Sequence, residues 1–380
     1  MSKINILHII SNMNNGGAQK IILNYVNDLQ NDKDIELSLL VLSSKNNHEY
    51  IKLLENYNVN VTYLDCFNKK YHNKFIQKLY EFYITNKKTQ KFLLKNNPEI
   101  VHVHLFGTLM FCYKAIKKCH IPVKFYTLHS NPLRFNGIKL NILRKCFSNY
   151  NFIPICVTNE QVEIAKRHYL INKYETIHNG VDFKKIKNEI VSKSEARNIF
   201  GLNNDDFVIC SVGRLDPIKK YDYLIKIFSH ISKINDKSKL LIAGSGAELN
   251  NLKKIVSLSK LEDRIIFLGN VENTTQVYCA ADVFSLTSES ESASLVLLEA
   301  QTCGLKCVVS NGVPSESIIT DKVIKMNKEA SIDAWSNAIL YGNNFEKRQF
   351  DFEDYEVHLM SKKMKDIYLK YWKEYQNEKQ

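Results

Sequence analysis

Two glutamates, Glu291 and Glu299, are separated by Ser-Ala-Ser-Leu-Val-Leu-Leu in a chain of 380 residues. The first sits in a loop of small, serine-rich residues. The second falls about two helical turns further on, inside an apolar run that Gly304 closes. A carboxylate in a core-facing helix is costly unless something polar requires it. The run Leu295-Val296-Leu297-Leu298 leaves little room for a solvent face, so Glu299 marks a site. Ser292 and Ser294 are small enough to let amides at a helix start near Leu295 approach a phosphate. Upstream, in Ser211-Val212-Gly213-Arg214-Leu215-Asp216-Pro217-Ile218-Lys219, a strand ends at a glycine and two cations follow before a new helix. One cation about 4 Å from a diphosphate, at an effective dielectric near 20, contributes roughly 4 kcal/mol per unit charge before desolvation. Arg214 and Lys219, together with helix-end amides, can therefore neutralise a departing diphosphate in place of a magnesium ion.

Other segments offer weaker versions of the same chemistry. Asn14-Asn15-Gly16-Gly17-Ala18-Gln19 joins a first strand to a helix, and its paired glycines let backbone amides come close to a ligand. Neither a G-x-G-x-x-G nor a phosphate-loop G-x-x-x-x-G-K-[ST] fingerprint is present, which argues against a dehydrogenase. Gly244-Ser245-Gly246 and Gly269-Asn270 follow two later strands and could be simple turns. Thr127-Leu128-His129-Ser130 ends a predicted strand, where a doubly wound sheet faces its ligand, so His129 should point into the crevice. His102 and His104 share one face of a strand as core or supporting residues. No third imidazole or carboxylate makes them a metal set. Glu289 is a second carboxylate that could line the same cleft as Glu291.

These side chains need scaffolding. Short β-rich runs alternate with helix-period segments, the pattern of parallel sheets with crossover helices. Strands are predicted near 4–10, 36–42, 60–64, 100–105, 123–128, 152–157 and 176–178, then near 207–212, 239–243, 264–268, 283–286 and 306–309. The charged stretch Lys184–Asn198 reads as the linker between the two series. Val357, Met360, Met364, Ile367 and Tyr371 fall on one face of a terminal helix. The length suits two domains. Nine scattered cysteines without a C-x-x-C pair suit free thiols in a reducing cytoplasm. No apolar run is long enough to span a bilayer.

The net charge of +12 lies wholly in the first half: residues 1–185 carry 26 Lys and Arg against 13 Asp and Glu. Such a half meets something anionic. Between Lys69 and Lys95, aromatics and aliphatics at helical spacing are surrounded by lysines, which suits a helix lying on an anionic bilayer. No recognised nucleic-acid motif accompanies it.

In combination, Glu291-x7-Glu299, Gly213-Arg214-Leu215 with Lys219, the Gly16-Gly17 loop, Thr127-Leu128-His129 and Asn179-Gly180-Val181-Asp182 resemble the large family of retaining, nucleotide-sugar-dependent glycosyltransferases with the GT-B fold, family 4. The resemblance spans almost the whole chain. It implies an α/β architecture of two doubly wound Rossmann-like domains facing across a cleft. Residues 1–183 would form the acceptor side, 184–350 would bind the nucleotide sugar, and a helix over 351–380 would cross back to the first domain. It implies that Arg214 and Lys219 hold the donor diphosphate and that Glu291 contacts the sugar near its reacting carbon. Glu299 would accept from the ribose, and the stretch at Asn270 would read the base. His129 would touch the donor sugar or assist the acceptor. Gly16, Gly17, Ser292, Ser294 and Leu295 would line the substrate.

The family's last glycine in the cation segment is Lys220 here, and Glu291 is followed by Ser-Ala-Ser where many members have Gly-Phe-Gly. Those departures bear on the local turn and on the sugar pocket. The single D-x-D, Asp32-Lys33-Asp34, sits in a polar loop, so no metal or other cofactor is expected; the nucleotide sugar is a substrate. The expected partners are a UDP-sugar, a glycan or lipid-linked acceptor of surface polysaccharide assembly, and an anionic membrane touched by a cytoplasmic protein. A nucleotide-sugar epimerase of the same fold and an inactive transferase-like subunit are the competing readings.

Overall fold

Strands covered by helices on both faces need apolar residues at nearly every position, and the runs Ile4-Asn-Ile-Leu-His-Ile-Ile and Phe207-Val-Ile-Cys-Ser-Val meet that condition. A computed structural model describes residues 3–14, 16–343 and 353–379, which divide into two units. The first comprises Met1–Gly180 and Val357–Gln380, the second Val181–Glu356. The expected boundary at 350/351 falls outside the described residues.

The first unit holds a seven-stranded parallel sheet of β1 (Ile4–Ile10), β2 (Ile35–Val41), β3 (Asn60–Tyr63), β4 (Ile100–His104), β5 (Val123–Thr127), β6 (Phe152–Cys156) and β7 (Glu175–Thr176), in the order 3-2-1-4-5-6-7. The second holds six: β8 (Phe207–Val212), β9 (Ser238–Ala243), β10 (Ile265–Gly269), β11 (Val283–Leu286), β12 (Lys306–Ser310) and β13 (Val323–Met326), ordered 10-9-8-11-12-13. Both are doubly wound, α/β, and each reverses its winding direction once. Those reversals lie between β1 and β4 and between β8 and β11, where such sheets open a crevice at the carboxyl ends of the strands.

Every strand expected from the sequence is present, to within about two residues at its ends; β13 is additional. Its sequence, Val-Ile-Lys-Met, is short and broken by Lys325, as an edge strand tolerates. The stretch Lys184–Asn198 is not a linker. It forms the helices Phe183–Glu189 and Lys193–Ile199 of the second unit. Its charge serves packing: buried Arg197 donates to Asp282 Oδ2 at 2.9 Å and to the Ala280 carbonyl at 3.2 Å, while the Val208 amide donates to the same Asp282 oxygen at 2.7 Å.

The terminal helix Val357–Asn377 packs within the first unit through Val357, Met360, Met364, Tyr368 and Tyr371. Tyr368, fully buried, takes the place expected of Ile367, which is only half-buried. Lys365 of this helix bonds both Asp32 and Asp34 at 2.7 Å, so the D-x-D pair has a structural partner.

Candidate functional site

In the second unit, backbone geometry sets the two cations. β8 runs into Gly213, and a short turn, Pro217–Lys219, precedes the helix Tyr221–Ile234. The turn is closed by Lys220 at φ 53° and ψ 41°, the left-handed region that disfavours any residue with a Cβ. This is the position where the resembling family has glycine. Lys220→Gly should therefore raise the melting temperature by a few degrees, the gain of up to about 1 kcal/mol expected from relieving a left-handed lysine less the extra freedom of an unfolded glycine. Calorimetry checks it; an unchanged or lower midpoint rules the strain out.

The turn is pinned to the loop after β11. Thr287 Oγ1 donates to the Lys220 carbonyl at 2.9 Å, and the Glu289 amide donates to the Ile218 carbonyl at 2.8 Å. This brings Lys219 Nζ to 2.6 Å from Glu291 Oε1, with the two side chains only 17% and 10% exposed. Ser288 Oγ donates to the same oxygen at 2.6 Å, and the Glu291 amide is held by the Gly312 carbonyl at 2.8 Å. A cation and a carboxylate thus face each other at the carboxyl ends of β8 and β11, at the reversal of the sheet. Glu289 turns away to pair with Lys328.

Arg214 lies elsewhere in the loop. Its side chain is 65% exposed and its Nε is 2.6 Å from Asp216 Oδ2. The loop itself is packed backbone to backbone against the one after β9: the Gly213 amide donates to the Ala243 carbonyl at 2.9 Å, and Leu215 N donates to Ser245 O at 2.9 Å. Gly244 has φ +134°, and a Cβ on it would lie 1.9 Å from the Gly213 carbonyl oxygen. The second glycine loop is therefore required by packing whether or not a ligand touches it. Asn270, exposed, follows Gly269 at the end of β10.

Beyond Glu291 the chain enters the helix Leu295–Thr302. Ser294 caps its start, with an amide donating to Ser317 Oγ at 3.2 Å and a hydroxyl that is buried without a partner. An orphan hydroxyl at a positive helix end is poised for an acceptor oxygen. Ser292 sits half-buried in the same loop, and Leu295 is buried. Glu299 is buried at 4% exposure and accepts from Tyr278 Oη at 2.9 Å and Thr274 Oγ1 at 3.4 Å. Burial, and then the Glu299 carboxylate, push the Tyr278 phenol well above its ordinary range, so it stays a donor. Thr287, Ser288 and Tyr278 were not singled out in the sequence, although the polar run after β11 signals the first two.

In the first unit, Gly16 caps the helix Gly17–Leu29 after β1 in extended geometry, and Gln19 folds back so that its Nε2 donates to Asn12 O at 3.3 Å. Asn15 lies outside the described residues. His129 follows β5 and is partly exposed. Its Nε2 lies 3.0 Å from His104 Nδ1, and His104 Nε2 lies 2.9 Å from His8 Nδ1. His8 Nε2 is 3.2 Å from Tyr368 Oη, which is 2.6 Å from His102 Nδ1; His102 Nε2 is 2.7 Å from Thr127 Oγ1. Burial holds all four imidazoles neutral, His8 and His129 down to about 3. His8, His102 and His104 lie close enough to share a metal ion. Both nitrogens of each are nevertheless engaged with neighbouring side chains, and the rings of His102 and His104 are stacked 4.2 Å apart, which directs their lone pairs at different partners.

Solved structures place this pair of units in one class. The chain aligns over 97% of its length with all of Anabaena Alr3699/HepE, solved with UDP and glucose, at a TM-score of 0.75 and 16% identity. It matches 97% of its length to 99% of a sucrose-phosphate synthase from Thermosynechococcus elongatus, again at 0.75 and 16%. The fold they share is GT-B, the fold of nucleotide-sugar-dependent glycosyltransferases. Sequence narrows the class. Residues 15–185 match the model of Glycosyltransferase Family 4, and residues 192–349 match Glycosyl transferases group 1. Among curated relatives, the UDP-Gal:alpha-D-GlcNAc-diphosphoundecaprenol alpha-1,3-galactosyltransferase of Escherichia coli is 29% identical over 66% of this chain and 67% of its own length. The putative glycosyltransferase EpsF of Bacillus subtilis is 22% identical over 89% and 87%. The chain belongs to glycosyltransferase family 4 and is a glycosyltransferase.

Proposed function

We propose that this glycosyltransferase is retaining and metal-independent, and that it moves a sugar from a UDP-sugar to a hydroxyl of a lipid-linked glycan at the cytoplasmic face of a membrane. The observation that carries the donor half is the Lys219–Glu291 pair beside the Ser294-capped helix start. A diphosphate arriving there meets Lys219, the orphan Ser294 hydroxyl and the free amides of the helix Leu295–Thr302. As it takes Lys219, Glu291 is released to bind sugar hydroxyls and to face positive charge developing at the anomeric carbon. Arg214, exposed and on a loop, swings to the phosphates once they are bound. Glu299, held by Tyr278 and Thr274, accepts from the ribose. His129 contacts the sugar or assists the acceptor. Uridine is favoured by the Escherichia coli relative, a transferase of galactose from UDP-Gal, and by HepE, which was solved with UDP.

The test combines binding with product analysis. A panel of nucleotide sugars should show one UDP-sugar raising the melting temperature by several degrees. With an acceptor present, the transferred sugar should keep the donor's anomeric configuration. Stabilisation with interconversion of the donor in the absence of acceptor would instead indicate an epimerase, and binding without any product an inactive subunit.

The membrane half rests on the helix Lys74–Asn96. It buries only Thr85, Thr89 and Leu93, all in its second half. Its first turns expose Phe75 at 70%, Ile76 at 47%, Leu79 at 54% and Tyr83 at 61%. The apolar spacing legible in the sequence therefore faces outward and not into the core. Between residues 66 and 150 there are sixteen lysines and arginines against two glutamates, so the surrounding charge suits anionic lipid. Among the described residues no helix is long and apolar enough to cross a membrane. Phe75→Asp with Leu79→Asp should reduce sedimentation with phosphatidylglycerol vesicles at least tenfold. Retained binding, or equal binding to phosphatidylcholine, would remove the membrane from the proposal.

A further inference from the structure

Three buried histidines, the partly exposed His129, Tyr368 and Thr127 form one unbranched chain, Thr127–His102–Tyr368–His8–His104–His129, with each link between 2.6 and 3.2 Å. We infer that this chain fixes His129 as the Nδ1–H tautomer, so that it meets its ligand as a neutral hydrogen-bond donor, and that Tyr368 and Thr127 are positioning residues for it. The inference rests on the reading that His129 faces the sugar or the acceptor.

A neutral imidazole donates from one ring nitrogen and accepts at the other, and a hydroxyl has one hydrogen to give. In an unbranched chain of such groups every link must therefore point the same way. Reversing one link reverses all of them or leaves a buried nitrogen unpaired. Thr127, at the inner end, decides the direction. It is 4% exposed, and His102 Nε2 is the partner of its hydroxyl. If Thr127 accepted, its own hydrogen would be buried without an acceptor, and an orphan buried donor is the costlier defect. Thr127 therefore donates to His102 Nε2, His102 Nδ1–H donates to Tyr368, and Tyr368 donates to His8 Nε2. His8 Nδ1–H then donates to His104 Nε2, and His104 Nδ1–H donates to His129 Nε2. The last ring is left with its hydrogen on Nδ1, at the partly exposed end of the chain.

The alternatives are restricted by the same surroundings. A protonated ring donates from both nitrogens, which would break the direction of the chain, and burial already disfavours the charged form of each ring. The aromatic neighbours Tyr25 and Phe125 supply no carboxylate to compensate such a charge. His129 in this state stabilises an oxygen by donating to it and does not accept the proton of an acceptor hydroxyl at Nδ1. Tyr368 sits 239 residues after His129 in sequence, on the terminal helix, yet two histidines separate them in the chain of bonds.

Nitrogen-15 spectra of the histidine rings at neutral pH test this directly, with His129 assigned from the signals lost in His129→Asn. The expected result is a protonated Nδ1 and an unprotonated Nε2 for His129; the opposite tautomer or an imidazolium overturns the inference. Tyr368→Phe and Thr127→Val should each turn the His129 signals into those of a tautomer mixture, while Thr127→Ser, which keeps the hydroxyl, restores the single form. A pure Nδ1–H form in both Tyr368→Phe and Thr127→Val would show that the chain does not set it. With a transfer assay in hand, Tyr368→Phe should lower kcat about tenfold with donor KM within about threefold, and should add nothing further in a His129→Asn background. Additive losses would assign Tyr368 a separate role. Full activity of His129→Asn would remove His129 from catalysis but leave the tautomer result standing.

Discussion

Glutamine in place of Glu291 should lower glycosyl transfer by about a hundred- to a thousandfold and yet tighten the binding of UDP. The transfer loss is that of removing one preorganised charge from the reacting centre, which typically costs two to three orders of magnitude. The tighter binding follows from the 2.6 Å contact between Lys219 and Glu291. Glu291 already neutralises the lysine, so an incoming diphosphate must compete with a carboxylate for it. A pair with this little exposure contributes on the order of 1 kcal/mol, and its removal should improve UDP affinity about fivefold. Lys219→Met separates the effects, because it abolishes the competition together with the cation and should weaken UDP binding. Titration calorimetry with both variants decides the matter. UDP affinity that is unchanged or weaker in Glu291→Gln would mean that the pair does not guard the phosphate site.

Gly244→Ala should be among the most damaging single methyl additions in the second unit. The new Cβ would lie 1.9 Å from the Gly213 carbonyl oxygen, and the backbone at φ +134° is itself unfavourable for alanine. The loop cannot slide away easily, since the Gly244 amide donates to the Gly269 carbonyl at 2.6 Å. A loss of roughly 3 kcal/mol or more is expected, a fall in melting temperature of about 6–12 °C for a unit of this size. Any relief comes from pushing Gly213 and Arg214 outward, so donor affinity should drop as well. Gly269→Ala is the control: its φ is also positive, +65°, but nothing lies within 4 Å of a Cβ there, and it should cost far less. Equal losses in the two variants would show that backbone conformation alone, and not the contact between the loops, governs the effect.

The two-sheet architecture is legible in the sequence because strands buried on both faces read as unbroken apolar runs, and the turns after them carry glycine. What escapes is whatever depends on a distant partner. Lys184–Asn198 looks like solvent-exposed chain because its charges are conspicuous, whereas the residue that decides its structure is Asp282, which fixes Arg197. The terminal helix is read in the right place but slightly out of phase, with Ile367 chosen over Tyr368, since hydropathy ranks isoleucine above a tyrosine whose hydroxyl is needed inside. Of the candidate site, Glu299 stands out because a carboxylate among leucines is improbable without a task. Lys219 and Glu291 are each visible as a motif, but their ion pair is not, because it spans 72 positions. The histidine chain is wholly non-local, and the sequence shows only that His102 and His104 share a face.

The second unit is spliced into the first: the chain leaves after Gly180 and returns at Val357, and the Val181 amide donates to the Tyr355 carbonyl at 2.8 Å where the exit and the return meet. During synthesis on the ribosome, the earlier sheet therefore emerges long before the helix that covers part of it. Its histidines must wait for Tyr368 while about 180 intervening residues fold as a self-contained insert. Nascent chains stalled after the insert has emerged but before the helix Val357–Asn377 has should thus hold a folded insert beside a host sheet that still lacks its covering helix.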